Sequence, residues 1–175
     1  MHTWTPDKSL NLVAKTHPQH HMAPQTNARA EDAIAVLNRD YPGQRVLIAD
    51  DDEFIRCILM DMLSNTGLNL DEAQNGREAV AMCTQNPYAL VLMDLLMPVM
   101  SGLEATAEIR QLPGMEHVPI LALTGNSNIS DRIKCLEAGM SDFITKPIRS
   151  EALAAILLHW LRDAQLTLQS SPRAN

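Results

Sequence analysis

The chain has 175 residues, 46% apolar and only 3% aromatic, with a formal net charge of −7. That length and apolar fraction exclude a wholly disordered chain and suffice for one domain with a proper core plus extensions. The acidic excess lies entirely in residues 45–175 and rings are scarce, which leaves little for stacking on bases and argues against direct nucleic-acid binding.

Residues 1–28 place Pro6, Pro18 and Pro24 among Thr, His, Gln and Asn without a period, and read as a flexible tail. His17, His20 and His21 within it read as solvated side chains, not as a metal cluster. Met1–Asp7 lacks the charged start and apolar centre of a signal peptide, and no stretch is apolar enough to span a bilayer. The expectation is a cytoplasmic chain without membrane insertion. Residues 29–44 form a short helix and linker: Ala30, Ala33, Ile34 and Leu37 share one helical face before Pro42-Gly43 breaks the pattern.

From residue 45 to 164 the chain alternates strand and helix. Val46–Ala49, Leu90–Met93 and Ile120–Leu123 are short apolar runs without alternation, the pattern of strands buried on both faces of a parallel sheet. Leu68–Ala73 is a weaker strand and Asp142–Thr145 a short last one. Between them the spacing predicts helices carrying Ile55, Leu59, Met62 and Leu63; Ala79, Val80 and Met82; Leu103, Thr106 and Ile109; Ile129, Ile133 and Leu136; and Leu153, Ile156, Leu157 and Trp160. Five successive strand–helix units imply right-handed crossovers and a doubly wound α/β sheet with helices on both faces. Residues 165–175 read as a C-terminal tail. Cys57, Cys83 and Cys135 fit neither a CxxC nor a zinc spacing and are expected to be buried free thiols. Met93, Met97 and Met100 read as core filler.

Parallel strands end along one edge, where open α/β sheets place their ligand sites. The runs stop there at Asp50-Asp51-Asp52, Asp94, Thr124 and Lys146. Taken singly, a strand-end Asp is usually a cap or turn former, Lys146 a solvated charge, Thr124 a strand residue and Phe143 core. In combination they point to chemistry. Carboxylates about 4 Å apart repel by roughly 4 kcal/mol at an effective dielectric near 20, so a cluster takes up protons or binds a cation. The oxygen-only donor set suits Mg²⁺ or Mn²⁺, not zinc. A hydroxyl and an ammonium beside it suit phosphoryl oxygens, and a carboxylate is a competent nucleophile toward phosphorus.

Residues 45–160 resemble the receiver domain of two-component response regulators. Val46-Leu47-Ile48-Ala49-Asp50-Asp51 matches the family's first strand and acidic pair. Met93-Asp94-Leu95-Leu96-Met97-Pro98-Val99-Met100-Ser101-Gly102 matches its phosphoacceptor segment, M-D-x-x-M-P-x-M-x-G. Leu123-Thr124-Gly125 matches the switch-threonine strand, and Ala138 to Pro147, ending Phe143-Ile144-Thr145-Lys146-Pro147, matches the closing segment.

The resemblance implies a flavodoxin-like five-stranded sheet of order 2-1-3-4-5. It implies that Asp94 accepts a phosphoryl group from a histidine kinase or histidine phosphotransfer protein. Asp51, Asp94 and the backbone carbonyl of Leu96 would bind Mg²⁺ (or Mn²⁺) directly, with Asp50 acting through water. Lys146 would pair with Asp94 and then with the phosphoryl group, and the Thr124 hydroxyl would bond a phosphoryl oxygen. Phe143 would then turn inward and reshape the surface of the receiver's fourth helix, fifth strand and fifth helix for a downstream protein target. No enzymatic activity is implied beyond the chain's own phosphorylation and dephosphorylation. A cis Lys146–Pro147 bond is implied as well, although only about 5–6% of X–Pro bonds are cis in general.

Four positions depart from the commonest family form or tune it. Asp52 adds a third acid, expected to face water. Leu96 and Asn126 stand where family members tune phosphoryl lifetime, and Phe143 stands where Tyr is frequent. No room for an output domain is expected after residue 165. Residues 37–47 resemble the linker before the receiver of hybrid histidine kinases, and residues 154–161 share that character. The expectation is a stand-alone receiver or one separated from a larger kinase, with dimerisation through the fourth-helix face open. Two other classes remain. An aspartate-nucleophile phosphohydrolase normally carries a second Asp two residues after the nucleophile, where Leu96 stands, and a cap domain. A binding module that is never phosphorylated would have little use for the acids, Thr124 and Lys146 together.

Overall fold

The computed structural model describes residues 27–125 and 128–170. Residues 1–26 of the expected tail with their histidines, Asn126, and the final five residues lie outside the described residues. The elements run α1 (Asn27–Asp40), β1 (Arg45–Ala49), α2 (Glu53–Leu63), β2 (Asn69–Ala73), α3 (Gly76–Gln85), β3 (Leu90–Asp94), α4 (Gly102–Ile109), β4 (Ile120–Thr124), α5 (Ile129–Glu137), β5 (Asp142–Thr145) and α6 (Ser150–Ser170). The strands form one parallel sheet of order β2-β1-β3-β4-β5, as expected.

Strand burial explains the sequence signal. β3 and β4 are buried along their whole length and β1 from Val46 onward, because helices cover both faces of the middle of the sheet. β2 and β5 sit at the edges and are only partly buried, which is why their apolar signal is weak. Side chains alternate between two cores. Val46, Ile48, Leu90, Leu92, Leu121 and Leu123 face α1, α2 and α6. Leu47, Ala49, Val91, Met93, Ile120 and Ala122 face α3, α4 and α5.

Four expectations change. The helix read as a lead into the domain is part of its core: Ala33, Leu37 and Tyr41 are buried against α6 and the end of α2. The tail expected from residue 165 is helical to Ser170, since Tyr41 Oη hydrogen-bonds Gln165 Oε1 at 3.1 Å and α1 runs along this part of α6. On α5 the buried position is Cys135, while Ile133 and Leu136 are exposed. The period put them on one stripe, but the sheet covers the neighbouring one. Cys57 is exposed on the outer side of α2, because Arg56, Leu59 and Leu63 take the inner side. Cys83 and Cys135 are buried free thiols, and burial pushes the Cys83 thiol up to about 12. Among the described residues no helix is long and apolar enough to cross a membrane.

Candidate functional site

Register brings the strand ends level. Ala49 pairs with Met93, Asp94 with Leu123, and Thr124 with Thr145. Asp50 therefore follows β1, Asp94 and Thr124 close β3 and β4, and Lys146 follows β5, all on one edge. The Lys146 amide donates to the Thr124 carbonyl at 2.7 Å, and the Lys146–Pro147 peptide is cis. Neighbouring strands lie about 4.8 Å apart, so β5 stands two spacings from β3 and only a long side chain closes the gap. The Lys146 ammonium does so, donating to Asp94 Oδ1 at 2.6 Å and to Asp50 Oδ2 at 2.7 Å. Sequence reasoning paired Lys146 with Asp94 alone. The second bond, to Asp50, is a product of the strand order.

The remaining carboxylate oxygens are held locally. Asp94 Oδ2 accepts from the Leu96 amide at 2.7 Å, and Asp50 Oδ1 accepts from the Asp52 amide at 3.0 Å. Asp52 is exposed and its side chain caps α2 by accepting from the Phe54 amide. Asp51, between them, is exposed, whereas Asp50, Asp94 and Thr124 are buried. Gly102 opens α4 tight against the end of β3, where any Cβ would overlap the Asp94 carbonyl oxygen.

Electrostatics follow from two acids sharing one ammonium. Burial pushes Asp94 above its usual value, and the nearby Asp50 adds to this, against the opposing pull of Lys146 and the Leu96 N–H. For Lys146, burial favours the neutral form, but its bonds to both acids outweigh this and hold it above its usual value. The cation thus gains two anions while each anion gains only part of a cation.

Beside the acids large apolar side chains are exposed and one turn is strained. Leu96 is 84% exposed and Val99 82%, with Phe54 also exposed at the start of α2. Val99 has φ +69, and the Met100 amide donates to the Pro98 carbonyl at 2.7 Å, closing a three-residue γ-turn. Phe143 on β5 is half-buried, with the Arg132 guanidinium 4.1 Å above its ring. The sequence offered no reason to pair these two.

Sequence reasoning also missed Arg56, a buried cation directly beneath the acidic turn. Its signal was present: it shares the inner stripe of α2 with Leu59 and Leu63, where a charge needs an explanation.

Among the described residues no three His, Cys, Asp or Glu side chains converge as a ready-made metal cage. Mg²⁺ does not need one. It keeps several waters and is held by one or two carboxylates, so an all-oxygen edge of Asp50, Asp51, Asp94 and the Leu96 carbonyl fits its chemistry.

Comparison with known proteins agrees with this geometry. Residues 46–158 match the response regulator receiver domain family. The chain is 40% identical over 118 residues to hybrid signal transduction histidine kinase B of Dictyostelium discoideum, covering 61% of this chain and 6% of that protein. It is 33% identical over 131 residues to the transcriptional regulatory protein SrrA of Staphylococcus aureus, covering 74% of this chain and 53% of that protein. It therefore spans about half or far less of these relatives' own length. Among solved structures, the receiver domain of a Pseudomonas aeruginosa sensor histidine kinase, described with a magnesium ion coordinated in its active-site cleft, has a TM-score of 0.65 at 36% identity. That likeness covers 69% of this chain and 98% of the other. With its strand order, its acid edge and its matched residues 46–158, this chain belongs to the response regulator receiver domain family of two-component signalling.

Proposed function

We propose that the chain is a phosphoacceptor: Asp94 takes a phosphoryl group from a phosphohistidine on a histidine kinase or histidine phosphotransfer protein. The observation that carries this is the Lys146 ammonium bridging Asp50 and Asp94 at the edge where β1, β3 and β5 end. An Asp94 oxygen attacks phosphorus, the P–N bond to the donor imidazole breaks, and the bonding pair stays on the imidazole nitrogen, leaving an acyl phosphate on Asp94. Lys146 passes from the carboxylate to the new phosphoryl oxygens, where its charge counts most. Asp51, Asp94 and the Leu96 carbonyl would hold Mg²⁺, with Asp50 acting through water. The bound ion would neutralise charge on the phosphoryl oxygens.

Thr124 closes β4 next to Asp94, and its hydroxyl is the group to read the modification by donating to a phosphoryl oxygen. Movement of Thr124 makes room for Phe143 to turn inward, away from Arg132. That biases the surface formed by α5, β5 and α6, where Ile133 and Leu136 are already exposed, toward a downstream protein target. On this reading the chain turns over no small substrate.

The test is mass spectrometry of the chain after incubation with acetyl phosphate and MgCl2. One added phosphoryl group, absent in Asp94→Asn and absent after chelation, is expected. An unchanged mass, or equal labelling of Asp94→Asn, refutes the assignment. Sustained hydrolysis of a generic phosphate ester would instead place the chain among the aspartate-nucleophile phosphohydrolases.

A further inference from the structure

Among the described residues, Arg56 is the one strongly buried charge beside the acid edge that the proposed phosphoryl transfer leaves without a task. It projects from the first turns of α2 and is 6% exposed. Its Nη1 donates to the backbone carbonyl of Asp50 at 2.8 Å, and its Nε donates to Glu72 Oε2 on β2 at 3.0 Å. A planar guanidinium makes both bonds at once in fixed directions, which a lysine ammonium on a flexible stem does not reproduce.

The acceptor is what gives this contact meaning. The Asp50 carbonyl belongs to the peptide that joins Asp50 to Asp51, and that peptide is planar. Holding its oxygen fixes the rotation of the whole unit, and with it the directions in which the two carboxylates leave the chain. The other ties of this turn act elsewhere. The Asp52 amide holds the Asp50 side chain, the Asp52 side chain caps α2, and the Asp50 amide donates to the Ala73 carbonyl on β2. None of them restrains the Asp50–Asp51 peptide from the carbonyl side. Glu72, paired with Arg56, anchors the guanidinium to β2 and offsets its charge, so the acids keep their net negative potential.

We propose that Arg56 is a positioning residue for divalent-cation binding: through the Asp50 carbonyl it orients the Asp50–Asp51 acid pair toward Asp94. The inference rests on the phosphoacceptor reading above. Partners of metal ligands change affinity about 10–100-fold when they are lost. Arg56 touches neither carboxylate and acts through several intervening bonds of the backbone and side chains, so the lower end of that range is expected.

The experiment titrates the full chain with MgCl2 alone by calorimetry, alongside thermal melts, for wild type, Arg56→Lys and Arg110→Lys. Arg110 is a matched control at the opposite sheet edge, where its guanidinium donates to the carbonyls of Gly139, Met115 and Val118 and reaches none of the acids. Arg56→Lys should weaken Mg²⁺ binding about tenfold. Arg110→Lys should lower the melting temperature at least as much and leave Mg²⁺ affinity within about twofold, since it touches no group that orients the acids. Wild-type affinity in Arg56→Lys overturns the proposal. So does a parallel loss of affinity in Arg110→Lys, because Arg56 would then matter only through stability. A wild-type chain that binds no Mg²⁺ overturns this inference, and the metal part of the phosphoacceptor reading with it. Binding that is intact in wild type and unaffected by Arg56→Lys removes this inference alone.

Discussion

The same five strands end in two chemically opposite ways. At the amino edge each cation is satisfied by groups that do not compete for it. Arg110 donates to three backbone carbonyls, and Arg45 bonds Asp71 and Asn86 and lies over the ring of Tyr88. The same end is buttressed by α1, where Asn38 bonds the Asn65 carbonyl and Leu37 and Tyr41 are buried. At the carboxyl edge two buried acids share one ammonium, a β-branched residue sits at positive φ, and large apolar side chains are exposed. The amino edge is built for stability. The carboxyl edge holds groups in arrangements that a partner or a phosphoryl group would relieve, as functional sites commonly do.

The contrast is broken most severely from the amino side. Leu37→Ala removes a fully buried side chain between α1 and α6 and touches no acid. It should cost about 2–5 kcal/mol in urea unfolding, while the folded fraction still accepts phosphoryl from acetyl phosphate. Near-normal stability would mean that α1 is not part of the cooperative core.

The carboxyl side should respond with the opposite sign. Burial holds Asp94 above its usual value, so its ionised form is worse placed in the folded chain than in the unfolded one. It lowers stability at neutral pH. That penalty fades as pH falls through the raised folded value, and it is gone below the unfolded value of about 3.9. Asp94→Asn should therefore raise stability at neutral pH by about 1 kcal/mol while abolishing phosphoryl acceptance, and the gap to wild type should close on acidification. Denaturant melts across that pH range measure it, and a destabilised variant at neutral pH would contradict the burial argument.

The smallest effect concerns the strained turn. Val99 at φ +69 costs about 1–2 kcal/mol, and a glycine there relieves this but loses about 0.5–1 kcal/mol to chain entropy. Val99→Gly should gain about 1 kcal/mol or less. A loss in equilibrium unfolding would show that the exposed Val99 side chain contributes more than its backbone costs.

Much of the site was legible beforehand because it depends on local signals. Unalternating apolar runs mark central strands, and the polar residue that stops each run marks the edge, so Asp50, Asp94, Thr124 and Lys146 fall together on sequence pattern alone. The edge strands and the helix surfaces were harder. A helical period says which side chains share a face, not which face the sheet covers; hence Cys135 is buried while Ile133 and Leu136 are not. Arg56 was overlooked because a lone arginine within an apolar stripe looks like an interruption until its acceptor is known.

By itself, the sequence determined the strand–helix alternation and the collection of acids, hydroxyl and ammonium on one edge, because both follow from periodicity and chain direction, and its motifs carried the family resemblance. Tertiary structure alone decided that Lys146 bridges both Asp50 and Asp94, that α1 belongs to the core, and that Arg56 grips the Asp50–Asp51 peptide. Those three are contacts between residues far apart in the chain or on different elements, and they exist only once strand order and helix packing bring a long side chain within reach of its acceptor.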